Sequence, residues 1–240
     1  MEEKYRDTIK RIKPIAETYI YQNNIQYPIK NSTQLLSEMD YYIIKAQAPK
    51  NLSGFYMKKD KYPFIFVNTN HSLGRQNFSL WHEVYHHYMN HQNGISDFGS
   101  NVLEEREAEI FAGCVLLPDT EIQRWMDQHD DIMRPDVLAR MSVYYNMSFN
   151  GVMVRAMQLN PISKEKYKAL KLFSNLENAT ELNALYADNN LATDILKPTY
   201  DIQISSNIMT VLEKNYNDNL VSAAKINEII EKIEVLNNEQ

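Results

Sequence analysis

Residues 82–86 read His82-Glu83-Val84-Tyr85-His86, an HExxH string inside a stretch with helical habit. On an α-helix, positions four apart differ by about 40° in azimuth, so both imidazoles leave one face and can reach one metal ion. Glu83 then lies beside the remaining coordination position. From there it can take a proton from a water whose pKa the metal lowers to roughly 7. These residue types at this spacing point to zinc-assisted hydrolysis, with a peptide bond as the expected target. With 6 His in 240 residues, chance produces such a string in roughly one chain in ninety, so a third ligand decides the matter.

Catalytic zinc usually takes three protein ligands and keeps one position open. The extended HExxHxxGxxH pattern requires Gly at position 89 and His at position 92. The chain has Met89 and Gln92, with His91 one residue out of place, and that class is excluded. The other common solution is a glutamate from a second helix. Residues 104–118 read EEREAEIFAGCVLLP, a glutamate-rich start and then an apolar run that stops at Pro118. This is the pattern of a buried helix with one acidic turn.

The two segments resemble the metal helices of the ImmA/IrrE metallo-endopeptidases. That family carries Phe-Ser/Thr-x-x-His-Glu-x-x-His, then Glu-x-x-Ala-Asn/Asp-x-Phe-Ala-x-x-Leu-Leu-x-Pro. Phe78-Ser79-Leu80-Trp81-His82-Glu83-Val84-Tyr85-His86 is similar to the first element. Glu105-Arg106-Glu107-Ala108-Glu109-Ile110-Phe111-Ala112, leading to Leu116-Leu117-Pro118, is similar to the second. The resemblance implies that His82, His86 and Glu105 hold Zn2+ and that Glu83 is the catalytic base. It departs at position 109, where the family has Asn or Asp and this chain has Glu. Glu105 and Glu109 form an i, i+4 pair, which suits Glu109 to accept the remaining N–H of a ligating histidine. Glu104 and Glu107, about 100° and 200° away from Glu105 in azimuth, are expected as solvated carboxylates at the positive end of the helix dipole. The similarity spans roughly residues 50–160. It implies a zincin-like α+β fold and, as substrate, a helix-turn-helix transcriptional repressor of a phage or mobile element.

Upstream, Gly54-Phe55-Tyr56-Met57 and Pro63-Phe64-Ile65-Phe66-Val67-Asn68 flank a Lys58-Lys59-Asp60-Lys61 turn, the composition of a β-hairpin. An edge strand beside an active-site helix lets an extended substrate add itself as another strand. Phe64, Ile65, Phe66, Val67 and Asn68 are therefore candidate substrate-binding residues. The equal alternative is a hairpin that only packs the back of the helix.

Around these elements, residues 1–27 read as an amphipathic helix interrupted at Pro14, and residues 32–40 as a short helix leading into a strand at 41–45. Helical patterns follow over Asp119–Gln128, 136–145 and Phe149–Leu159, with weaker ones to the terminus. The expected organisation is a zincin-like core over 1–118, a helix-turn-helix-like segment over 119–160, and a helical region over 161–240 with a mild acidic balance. A hydrophobic content of 44% supports one substantial core plus an appendage. The charged start and the lack of any apolar run near 18 residues predict neither secretory signal nor membrane anchor. A single cysteine, Cys114, sits among apolar residues, which predicts a reducing, cytoplasmic setting and a packing role.

Residues 134–171 carry seven Lys/Arg against two Asp/Glu, whereas the whole chain carries −6. That band could meet nucleic acid or an acidic protein surface, but the second helix shows no cluster of base-reading polar residues, which disfavours DNA. His87 and His91 project about 140° and 180° from His82 on a continuous helix and are read as packed or solvated, and His71 and His129 carry no interpretable context. The competing functional class is a regulatory module in which zinc only ties two helices together and helices at 206–216 and 222–236 recognise a partner. A retained Glu83 beside an open position argues against it.

Overall fold

The computed structural model describes residues 2–59, 61–91, 94–96, 103–174 and 179–238; Asp60 and Gln92 lie outside them. The α+β expectation is met. A five-stranded mixed sheet is built from β1 (Tyr42–Ala46), β2 (Gly54–Lys59), β3 (Tyr62–Asn68), β4 (Gly94–Ser96) and β5 (Gln203–Ile204), in the order β4-β2-β3-β1-β5. β1 and β3 run parallel, and the other pairs are antiparallel. Strand alternation then sorts the side chains. Ile43, Ile65 and Val67 face the helices and are buried, whereas Ile44, Phe64 and Phe66 face away.

Helix α1 (Glu2–Gln22) packs along α4 (Leu103–Leu116), and α4 packs along α3 (Leu73–Tyr88), which itself lies on β2 and β3. Helix α2 (Ser32–Glu38) closes the end of this layer, with Ser32 Oγ accepting the Trp81 indole N–H at 3.0 Å. Helices α5 (Asp119–Gln128), α6 (Pro135–Tyr144), α7 (Phe149–Leu159), α8 (Lys164–Leu172) and α9 (Ala179–Asp188) follow. After a 3-10 turn at Asp194–Leu196 the chain forms β5, then α10 (Ser206–Asn217) and α11 (Ala223–Asn238). One hydrophobic cluster takes in buried side chains from Ile12 to Ile195.

Three sequence expectations change. Pro14 does not interrupt α1, which continues through it. A proline inside a helix costs about 3 kcal/mol or more, but Pro14 points to solvent while Ile12, Ala16 and Tyr19 bury the opposite face, and that burial outweighs the loss. Second, β3 is not an edge strand. Both of its sides are hydrogen-bonded, to β1 and to β2, so Phe64, Ile65, Phe66, Val67 and Asn68 cannot accept a substrate as an added strand. The edges are β4 and β5, three and two residues long, which is too short for their pattern to be read in the sequence. Third, Glu107 is not solvated; it is buried and paired with Arg11, and it accepts the Tyr85 hydroxyl at 2.7 Å.

Candidate metal centre

Helix α3 is enclosed over eight consecutive residues, Ser79 to His86. A helix buried all round needs packing partners on every side, and here Leu80 and Val84 enter the core while Trp81 and Tyr85 meet the rings of Tyr19 and Phe111. His82 and Glu83 have no solvent exposure and His86 has 8%. Such burial fixes the direction of each functional group before any ligand binds.

Helix α4 runs alongside and brings Glu105 to the two imidazoles. Glu105 Oε2 lies 3.0 Å from His82 Nε2, and Glu105 Oε1 lies 3.5 Å from His86 Nε2. The two Nε2 atoms are 3.3 Å apart. A tetrahedral zinc ion with bonds of about 2.0–2.1 Å separates its ligand atoms by about 3.3 Å, so the two Nε2 atoms are spaced as one edge of such a tetrahedron, with the Glu105 carboxylate beside both and one oxygen toward each imidazole. The donor chemistry agrees, being two imidazoles and a carboxylate within 4.8 Å of one another. Among the described residues this is the one His/Cys/Asp/Glu group with that property.

The protonation states also suit a cation. Burial lowers the His86 pKa to about 4, helped by the neighbouring His82 and His91, so His86 is neutral near pH 7. Burial alone would raise the Glu105 pKa, but its hydrogen bond to His82 and the surrounding imidazoles hold it below the ordinary carboxylate range. Neutral imidazole and ionised carboxylate are the forms that ligate metal. Glu105 is the most exposed of the three candidate ligands, its side chain 18% accessible, against 0% for His82 and 10% for His86, and marks the side from which solvent reaches the site.

Glu83 lies on α3 between the two histidines and faces β2. A Cβ placed on Gly54 would stand 3.4 Å from Glu83 Oε1 and only 2.7 Å from the Phe66 carbonyl oxygen. Position 54 is thus where backbone passes close to Glu83, and a side chain there has no room. Glu109, one turn beyond Glu105, sits at the exposed margin of α4. Partial desolvation raises its pKa, and the neighbouring Glu105 carboxylate adds to the rise.

The expected substrate residues go elsewhere. Ile65 and Val67 are core residues beneath α3, and Phe66 stacks on Phe55 at 5.1 Å on the opposite face of the sheet. Phe64 lies on that same face, against Tyr42. Asn68 is buried, its side-chain amide donating to the carbonyls of Ala48, Pro49 and Leu52 while its Oδ1 accepts from Ala48 N–H at 3.0 Å. It braces the loop before β2.

Two contributors escaped sequence reasoning. Gly54 could have been suspected, since an isolated glycine in a strand pattern marks close backbone approach. His91 could have been suspected from Asn90, because Asn just past a helix favours the left-handed cap. Asn90 has φ 55°, Asn90 N–H donates to His87 O, and His91 N–H donates to His86 O, both at 2.9 Å. The helix therefore stops, and His91 turns back to place its Nδ1 2.9 Å from His86 Nδ1. The 180° azimuth expected of a continuous helix does not apply. His87 is separate from it, its Nδ1 2.8 Å from the Tyr41 hydroxyl.

An HExxH helix completed by a glutamate from a neighbouring helix defines a metallopeptidase-type centre. The profile of the IrrE N-terminal-like domain matches residues 37–157, and the chain belongs to that family of peptidases. Both metal helices and Gly54 fall within the matched segment. No curated protein matches the chain.

Proposed function

We propose that the chain is a zinc-dependent endopeptidase, with a zincin-like catalytic core, that cleaves one specific protein. The observation carrying this reading is the convergence of His82, His86 and Glu105: the two Nε2 atoms are 3.3 Å apart, and the Glu105 carboxylate sets one oxygen 3.0 Å from His82 Nε2 and the other 3.5 Å from His86 Nε2. His82, His86 and Glu105 would hold the ion. Zinc, when bound, supplies Lewis acidity that polarises a carbonyl and lowers the pKa of water to about 7.

The rest of the chemistry belongs to side chains. Glu83, held between the two ligands and shielded from bulk solvent, takes a proton from the attacking water and delivers it to the departing amine. This proton transfer is worth about 10²–10⁴ in rate. Glu109 supports His82 electrostatically from the next turn of α4. The buried setting strengthens each of these interactions by lowering the local dielectric. Substrate approaches past Glu105.

The substrate we infer is a helix-turn-helix transcriptional repressor. A protein partner is favoured over nucleic acid because part of the basic band at 134–171 is already paired with carboxylates of this chain. Arg155 is buried, with its guanidinium on the Gly113 and Leu117 carbonyls and Asp119. Arg134 pairs with Asp136, and Lys166 with Asp131. Helix α7 is packed against α4, α5 and α6, so it is not free to enter a groove. The described helices include none long and apolar enough to cross a membrane.

The test is co-expression with each helix-turn-helix repressor encoded beside this chain, followed by intact mass measurement. Two repressor fragments with the natural chain and an uncut repressor with Glu83→Gln are expected. An intact repressor in both cases refutes the assignment of substrate.

A further inference from the structure

Of the six histidines, His91 is the one the hydrolytic scheme leaves without a task although it touches the centre. Its Nδ1 lies 2.9 Å from His86 Nδ1, and the two rings are 5.2 Å apart between centroids at an interplanar angle of 53°. His86 Nε2 is the atom that faces His82 and Glu105. If Nε2 keeps its lone pair for a metal, the His86 proton must sit on Nδ1, and among the described residues the acceptor the heavy-atom spacing offers it is His91 Nδ1.

We propose that His91 is a positioning residue that accepts the His86 Nδ1–H and thereby fixes both the tautomer and the rotation of this ligand. The proposal rests on the reading of His86 as a zinc ligand. Ligating histidines generally give their second N–H to a carboxylate, a carbonyl or water, and losing that partner costs 10–100-fold in metal affinity. Here another imidazole takes that place.

Two features hold His91 there independently of the His86 side chain. The cap at Asn90 ties the His91 backbone N–H to the His86 carbonyl, which pins the residue one turn back along α3. The Tyr85 ring stands edge-on to His91 at 5.5 Å, and its own hydroxyl is anchored on Glu107 at 2.7 Å. The paired imidazoles therefore sit against a wall fixed from α4, and the ligand inherits that rigidity.

The experiment is a zinc dissociation constant, measured by competition with a chromophoric chelator, for the natural chain, His91→Phe and His91→Asn. Phenylalanine keeps ring volume and removes the acceptor; asparagine places Oδ1 where Nδ1 stood. His91→Phe should weaken zinc by about 10–100-fold, with the melting temperature of the metal-free protein unchanged. His91→Asn should return to within a few-fold of the natural chain. Equal affinity in the natural chain and His91→Phe overturns the proposal, as does equal weakening by both variants. If the natural chain itself takes up no zinc, the peptidase reading falls and the role of His91 falls with it, an outcome distinct from those two.

Discussion

Helices α3 and α4 and helices α10 and α11 come from the same chain, yet they are built on opposite terms. In α3 the eight residues from Ser79 to His86 are all buried, and α4 buries nine of its residues, from Glu107 onward. Helix α10 buries none, and Met209, Tyr216 and Leu220 nearby are exposed. A metal centre needs ligand atoms held within about half an ångström, which only a fully packed surround supplies. A recognition surface needs no such rigidity. The contrast separates the packed region that holds the candidate metal centre from the exposed helix α10.

The largest effect that would sharpen this contrast is at Glu105. Glu105→Ala removes one of three donors, and elemental analysis should find zinc essentially absent. Hydrolysis should fall with it, while circular dichroism stays that of the natural chain, because Glu105 is only half-buried. Full zinc retention by Glu105→Ala would mean the ligand set is wrong.

Gly54→Ala is expected next. Its new Cβ would press on the Phe66 carbonyl oxygen and on Glu83, and overpacking of this kind costs about 1–3 kcal/mol. Chemical denaturation reads the loss directly, and the shifted Glu83 should slow hydrolysis as well. A stability equal to that of the natural chain would remove the claim that β2 passes so close to the base.

Lys45 tests how far the packed region extends. Only 4% exposed, it has its pKa lowered by burial to about 8 from its ordinary 10.5, partly offset by Asp201. Between those two values the unfolded chain keeps a proton that the folded chain has released. Stability from this group therefore rises with pH through that window. Lys45→Met should raise stability at pH 7 on the order of 2 kcal/mol and flatten the rise between pH 8 and pH 10. Parallel pH profiles for the two proteins would show that Lys45 is not desolvated in solution.

The smallest effect belongs to the exposed helix. Met209→Ser on α10 should change stability by no more than about 0.5 kcal/mol and leave zinc content alone. A large loss at Met209 would mean that α10 is packed as α3 is, and the contrast between the regions would disappear.

How much of this was legible in the sequence follows the same division. His82, Glu83 and His86 could be read because a helix repeats every 3.6 residues and a metal reads that spacing locally. Glu105 was legible because its helix carries an acidic start and an apolar run that together resemble the family's second element. The span of α5 and α7 was legible from apolar periodicity. What failed were judgements about neighbours in space. Whether β3 was an edge depended on β1 pairing with it in parallel, which nothing in residues 62–68 encodes. Pro14 looked like a break because local propensity ignores the burial of Ile12, Ala16 and Tyr19 on the far face. Glu107 looked solvated because its partners, Arg11 and Tyr85, lie 96 and 22 residues away in the sequence. His91 was misplaced by assuming that the helix continued past Asn90.

The measurement that tests the central claim most directly is repressor cleavage followed in time by three preparations: the metal-free chain, the same chain reconstituted with one equivalent of zinc, and Glu83→Gln loaded with zinc. Only the zinc-reconstituted natural chain should produce fragments, with Glu83→Gln slower by about 10²–10⁴ despite equal zinc content. Cleavage by the metal-free chain, or equal cleavage by zinc-loaded Glu83→Gln, would contradict the account.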